Sequence, residues 1–141
     1  MIDVEKIVFN TVYNAVKAVS PNAAVYGETV ERAAKFPSVT VMETDNVTYK
    51  KTLDDANHEH HAQVTYEINV YSDKQKGNKK ECRAILAAAD AAMQGMNFVR
   101  LMTTQLPNVD RTIYRMYARY RAIVEEGITE EGTTSYRVYR K

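Results

Sequence analysis

A single cysteine, Cys82, serves the 141 residues of the chain, so no intramolecular disulfide can form. A chain without such staples suits a reducing compartment or a core that needs none. Cys82 falls on the apolar face of a predicted helix and reads as a small core residue rather than a nucleophile. Excess charge of either sign is also missing: 19 Lys and Arg stand against 18 Asp and Glu, leaving +1. A dedicated nucleic-acid binder is usually far more basic, so only a local basic patch stays open. No apolar run approaches the roughly 20 residues of a membrane span. The opening MIDVEKIVFN carries Asp3 and Glu5 where a signal peptide wants positive charge. The expectation is a soluble protein made in a cytoplasm, without membrane contact. Catalytic signatures are lacking as well: there is no P-loop, no glycine-rich dinucleotide motif and no G-x-S-x-G. The expectation is a chain that is not an enzyme and carries no cofactor.

What is present is an ordinary globular composition, 45% hydrophobic and 26% charged, at a length that fits one domain over 1–141. From Asp3 to Val19, apolar residues at Val4, Ile7, Val8, Val12, Ala15, Val16 and Val19 have helical spacing. Asp3 is a plausible N-cap, and Ser20-Pro21 stops the helix. A short extended piece at Ala24 to Tyr26 follows, then a polar stretch, Glu28 to Lys35, then a β-branched strand from Ser38 to Thr44. DNVTYKKTLDDANHEHH, 45 to 61, has no clear period and reads as an extended hairpin or a mobile loop.

Ala62 to Ser72 alternates cleanly: Ala62, Val64, Tyr66, Ile68 and Val70 point one way, and Gln63, Thr65, Glu67 and Asn69 the other. Asn78 with Glu81 suggests a capping box. It opens a helix to about Gln94, with Cys82, Ile85, Leu86, Ala89 and Met93 on one face and Gly95 as its stop. Phe98 to Leu106 reads as a strand, Pro107 to Asp110 as a turn, Glu125 to Thr133 as a loop, and Ser135 to Arg140 as a last strand. The fold class expected is α+β, an antiparallel or mixed sheet with two main helices packed on one face.

Between two turn signals stands YRMYARYR, Tyr114 to Arg121, which fits a helix stripe or a strand. The strand partition is the better one. It puts Tyr114, Met116, Ala118, Tyr120, Ala122 and Val124 on one face, and Ile113, Arg115, Tyr117, Arg119, Arg121 and Ile123 on the other. Arg137 and Tyr139 join the second set if the last strand pairs as a hairpin. Three readings of this face stand: a solvated face with arginines lying on tyrosines, a protein interface, or nucleic-acid contact. The neutral total charge lowers the third.

All three histidines sit in HEHH, at His58, His60 and His61. Two ligands per strand face are too few for structural zinc, and the spacing is not H-E-x-x-H, so no metal site is expected. A polar, pH-sensitive loop fits better. The acidic pairs Asp54-Asp55 and Glu125-Glu126 fall in predicted loops and read as solvated.

Taken together, a first helix ending at a proline, KFPSVTVMETDN, a strand ending NVYSDK, an alanine-rich helix ending near AAMQGMNFVR and the strand DRTIYRMYARYRAIV resemble a known family. The chain is similar to the small tail-terminator and head–tail joining (neck) proteins of long-tailed bacteriophages and prophages. The resemblance implies a structural virion protein, assembled in the host cytoplasm. It implies a homo-oligomeric ring, often hexameric, at the head-proximal end of the tail. Such a ring ends tail-tube growth, docks the head, touches the tube protein, the head-completion or connector protein and in contractile tails the sheath, and lets DNA pass through its lumen. It carries over no catalytic or ligand residues. Under it, Arg115, Tyr117, Arg119, Arg121, Arg137 and Tyr139 are the candidate subunit or partner interface, which acidic residues at Asp54-Asp55 or Glu125 to Glu131 would meet. Lys50, Lys51, Asp54, Asp55, His58 and His60 form a candidate contact loop toward tube or connector. The alternatives are another neck position (stopper or tail-completion adaptor) or a small module binding nucleic acid or protein.

Overall fold

A computed structural model describes residues 3–27, 35–48, 61–107, 112–128 and 134–139. In order, the elements are α1 (Glu5–Val19), β1 (Ala24–Tyr26), β2 (Ser38–Thr48), β3 (His61–Ser72), α2 (Asn78–Gly95), β4 (Val99–Leu106), β5 (Tyr114–Ile128) and β6 (Thr134–Tyr139). The strands form one mixed sheet in the order β1-β2-β3-β5-β4, with β6 also paired to β5. Only β1 and β2 run parallel; every other pairing is antiparallel. Buried residues of both helices join those of the strands in one cluster, so the helices share one face of the sheet. This is the α+β architecture expected, with YRMYARYR in a strand.

Helix α1 buries Val4, Val8, Val12 and Val16, a four-residue ladder. Each fully buried valine contributes about 1.5–3 kcal/mol of transfer free energy, which offsets the poor helix propensity of β-branched residues. The buried stripe is narrower than the pattern suggested, because Ile7 and Val19 are exposed. The N-cap is Val4 and not the expected Asp3, which stands one residue earlier, where its Oδ1 accepts the Glu5 N–H at 3.0 Å.

Helix α2 departs from expectation at both ends. Its N-cap is Gly77, at φ 78°, not Asn78. No capping box forms, because Glu81 is taken elsewhere: it accepts the Ser72 hydroxyl at 2.7 Å and pairs with Lys74 at 2.6 Å. At the other end Gly95 is the last helical residue, and Asn97 supplies the left-handed turn at φ 68°. The Asn97 N–H bonds the Gln94 carbonyl and the Phe98 N–H the Met93 carbonyl, a Schellman closure, with Met93 and Phe98 both buried. The expected apolar face (Cys82, Ile85, Leu86, Ala89, Met93) is the buried one. Cys82 lies in the core, where burial pushes its thiol up to about 12, an inert group.

At the centre, Tyr66 of β3 stands opposite Tyr120 of β5, and both are fully buried. A buried phenol needs a partner for its O–H. Tyr120 donates to Asp90 on α2 at 2.7 Å, and Asp90 in turn pairs with Arg100 at 3.2 Å and accepts Gln94 at 2.7 Å. Tyr66 donates to Glu43 at 3.3 Å and meets Phe98 edge-on at 5.6 Å. Burial, then the neighbouring carboxylate, pushes both phenols well above the usual tyrosine range.

Two loop expectations end as strand. β2 runs on to Thr48, past a register shift between Glu43 and Asp45, and β5 runs on through Glu125 to Ile128. Glu43 is half-buried beside Asp3 and Glu5. Burial first, then these two acids, raise its carboxyl above the usual 4.5, against the hydrogen bonds from Tyr66 and Asn46. A raised folded-state value means the folded protein holds the proton more tightly than the unfolded chain. Stability from this group is therefore full below the usual glutamate range and is lost as pH rises above it. Glu43→Gln is expected to raise the thermal unfolding midpoint near neutral pH, with the gain vanishing below the usual glutamate range; calorimetry at the two pH values checks it.

Candidate interaction face of the sheet

With both helices on one side, pleat parity leaves the second side of the sheet carrying the residues singled out in YRMYARYR. The register lines them up in rows across four strands. Ser38, Tyr71, Arg115 and Leu106 make one row, and Thr40, Asn69, Tyr117 and Thr104 the next. Met42, Glu67, Arg119 and Met102 follow, then Asp45, Thr65, Arg121 and Val99. Among the described residues, no helix or strand crosses this face.

The face is not uniformly solvated. Thr40, Thr65 and Asn69 are buried, because longer neighbours lie over them. Arg115 is half-buried; its Nε donates to Asn69 Oδ1 at 2.9 Å and its guanidinium lies 5.6 Å from the centre of the Tyr71 ring. Tyr117 donates to Glu67 Oε1 at 2.5 Å. Partial burial, followed by that bond and the Glu67 charge, pushes the Tyr117 phenol up to about 12. Arg119 is exposed and Arg121 half-buried, and neither guanidinium has a hydrogen-bond or ion-pair partner among the described residues. The four expected residues thus share a face but split by state: Arg115 and Tyr117 are bound within the subunit, Arg119 and Arg121 are not.

The rest of the expected site divides. β6 pairs with β5 as a hairpin, setting position 137 opposite Glu125 and position 139 opposite Ile123. Glu125, expected in a loop, is in strand and lies 3.7 Å from His61 of β3. Lys50, Lys51, Asp54, Asp55, His58 and His60 lie outside the described residues, so the contact loop is not part of this geometry. Sequence reasoning put Ile113 and Ile123 on this face but missed its apolar members from β2 and β4. Leu101 and Met102 of β4 are 43% and 46% exposed, and Val47 of β2 is 47% exposed. A register shift between Arg100 and Met102 breaks the two-residue period there, which hides the pattern from a parity count.

A family model described as "Tail completion protein gp17" matches residues 12–125, from within α1 through most of β5. No curated protein matches the sequence.

The split of the arginines is measurable in the isolated subunit. Arg115→Ala should destabilise by about 1–2 kcal/mol, the loss of a hydrogen bond to a charged donor and a cation–π contact. Arg119→Ala should stay within roughly 0.5 kcal/mol of the parent, as for surface positions generally. Urea unfolding of the two variants side by side checks the order.

Proposed function

The chain belongs to the tail completion protein gp17 family, and from that premise we propose that it forms a ring at the head-proximal end of a phage tail. Membership gives it a structural role in the phage tail, as a virion component working beside other tail and head proteins. In the finer reading, the ring caps the tail tube, ends its growth and offers the docking face for the head, while DNA passes through the lumen. Its direct partners are further copies of itself, the tube protein and the head-completion protein.

The observation that carries this reading is a sheet face that no described helix or strand covers, with two guanidinium groups that no described residue pairs, in a chain of this family. A free arginine beside exposed methionine and tyrosine-rich surface is the chemistry enriched where proteins meet. The same groups could contact phosphate, but a net charge of +1 supplies little of the long-range attraction that nucleic-acid affinity needs. A ring further requires that each copy present two different surfaces, since a head-to-tail contact closes by rotation.

Native mass spectrometry and negative-stain microscopy test the reading on the purified chain, alone and mixed with tail tubes. Closed rings, alone or on tube ends, are expected; a strictly monomeric species under both conditions ends the proposal. Arg119→Glu is expected to reduce assembly while leaving the unfolding midpoint near that of the parent. Unfolding by this change would instead mean that Arg119 is not solvent-facing.

A further inference from the structure

The uncovered face is polar in the electrical sense, and its polarity runs across the strands. Asp45 stands opposite Thr65, Thr65 opposite Arg121, and Arg121 opposite Val99, one continuous row. The acid is therefore at the β2 end and the base at the β5–β4 end. Two strand spacings, roughly 10 Å, separate their backbones. No hydrogen bond or ion pair engages the side chain of Asp45, Arg119 or Arg121 among the described residues. Each end also carries exposed apolar surface of the same kind. Val47 lies next to Asp45 on the same face, and Met102 lies opposite Arg119.

We infer that neighbouring copies of this chain meet end to end across the sheet, with Asp45 and Val47 of one copy seated on Arg119, Arg121 and Met102 of the next. The inference rests on the ring reading above and names its subunit contact. Opposite charges flank an apolar pair on both sides, so one end complements the other and repels its own kind. Like-on-like pairing, as in a two-fold dimer through either end, would set charges of one sign together. Placed end to end, the contact is heterologous, and a rotation that closes makes it a ring; a two-fold face-to-face pair would also match the charges but would stop at a dimer, so a dimer in native mass spectrometry overturns the end-to-end contact. Arg115 and Tyr117 take no part in it. Their internal bonds hold the strand surface flat beneath the contact.

Charge reversal in pairs tests it. One variant carries Arg119→Glu and Arg121→Glu; the other carries Asp45→Lys and Val47→Lys. Each alone places like charges at every contact and should lose rings in native mass spectrometry. Mixed in equal amounts they should recover rings in which the two variants alternate, because both kinds of contact are then complementary. Far-ultraviolet circular dichroism and unfolding midpoints verify that each is folded; the single changes Arg119→Glu and Asp45→Lys, both at exposed positions, replace any double variant that is not. Rings from either variant alone overturn this contact while leaving the ring itself standing. A mixture that stays dissociated also overturns it. Wild-type chain that forms no ring even on tubes overturns the ring reading instead. Loss of duplex-DNA binding in the arginine variant, with assembly unchanged, would reassign the arginine pair to phosphate contact.

Discussion

The pairing of β3 with β5 is the constraint on which the rest depends. It runs through the 12 residues of β3 and sets Tyr66 against Tyr120, Ile68 against Ala118 and Val70 against Met116 on the helix side. A slip of β5 by one residue would turn Arg115, Arg119 and Arg121 into the core and Tyr120 out of it. The tyrosines add a directional demand, since each hydroxyl must find an acceptor. Asp90 on α2 meets one and Glu43 on β2 the other, so the same register that closes the sheet also positions a helix and a neighbouring strand. The cost of an unsatisfied buried hydroxyl, about 1–3 kcal/mol, penalises any rearrangement that keeps the sheet but shifts α2.

The helices cover one side of the sheet, and among the described residues no helix or strand covers the other, so its polar groups are satisfied within the sheet or by solvent. The chain does this unevenly. Arg115 spends its charge on Asn69 and Tyr71, and Tyr117 spends its hydroxyl on Glu67. Arg119, Arg121 and Asp45 keep theirs. A structural protein of the phage tail works through surfaces rather than through a pocket, so unspent charge on a rigid sheet is the property to look for. In the ring proposed above, rigidity would matter because a contact repeated by rotation multiplies any error in its angle, and paired strands hold side chains more firmly than loops do.

Most of the fold was legible because its periods are strong. Ala62 to Val70 alternates without a break, and α2 repeats its apolar residues at helical spacing, so burial alone dictates their placement. YRMYARYR was separable for the same reason: its arginines differ in parity from its methionine and alanine. The misreadings lie where a local signal met a tertiary competitor. Asn78 and Glu81 look like a capping box, but Ser72 and Lys74 claim the glutamate. Glu125 looks like loop beside a glycine, but pairing with His61 and with β6 draws it into the sheet. Leu101 and Met102 hide behind a bulge, and Asp45 behind the register shift in β2.

By itself, then, the sequence determined which sides of β3 and β5 are apolar, where the helices lie and that the arginines of YRMYARYR share a face, because these follow from the two-residue and 3.6-residue periods of the backbone. Only the tertiary structure decided which of those arginines is free. That depends on what stands on the neighbouring strand: Asn69 and Tyr71 sit within reach of Arg115, whereas no described residue bonds Arg119 or Arg121. It also decided that acid and base occupy opposite ends of one row, since strand order is a property of the assembled sheet and not of any strand within it.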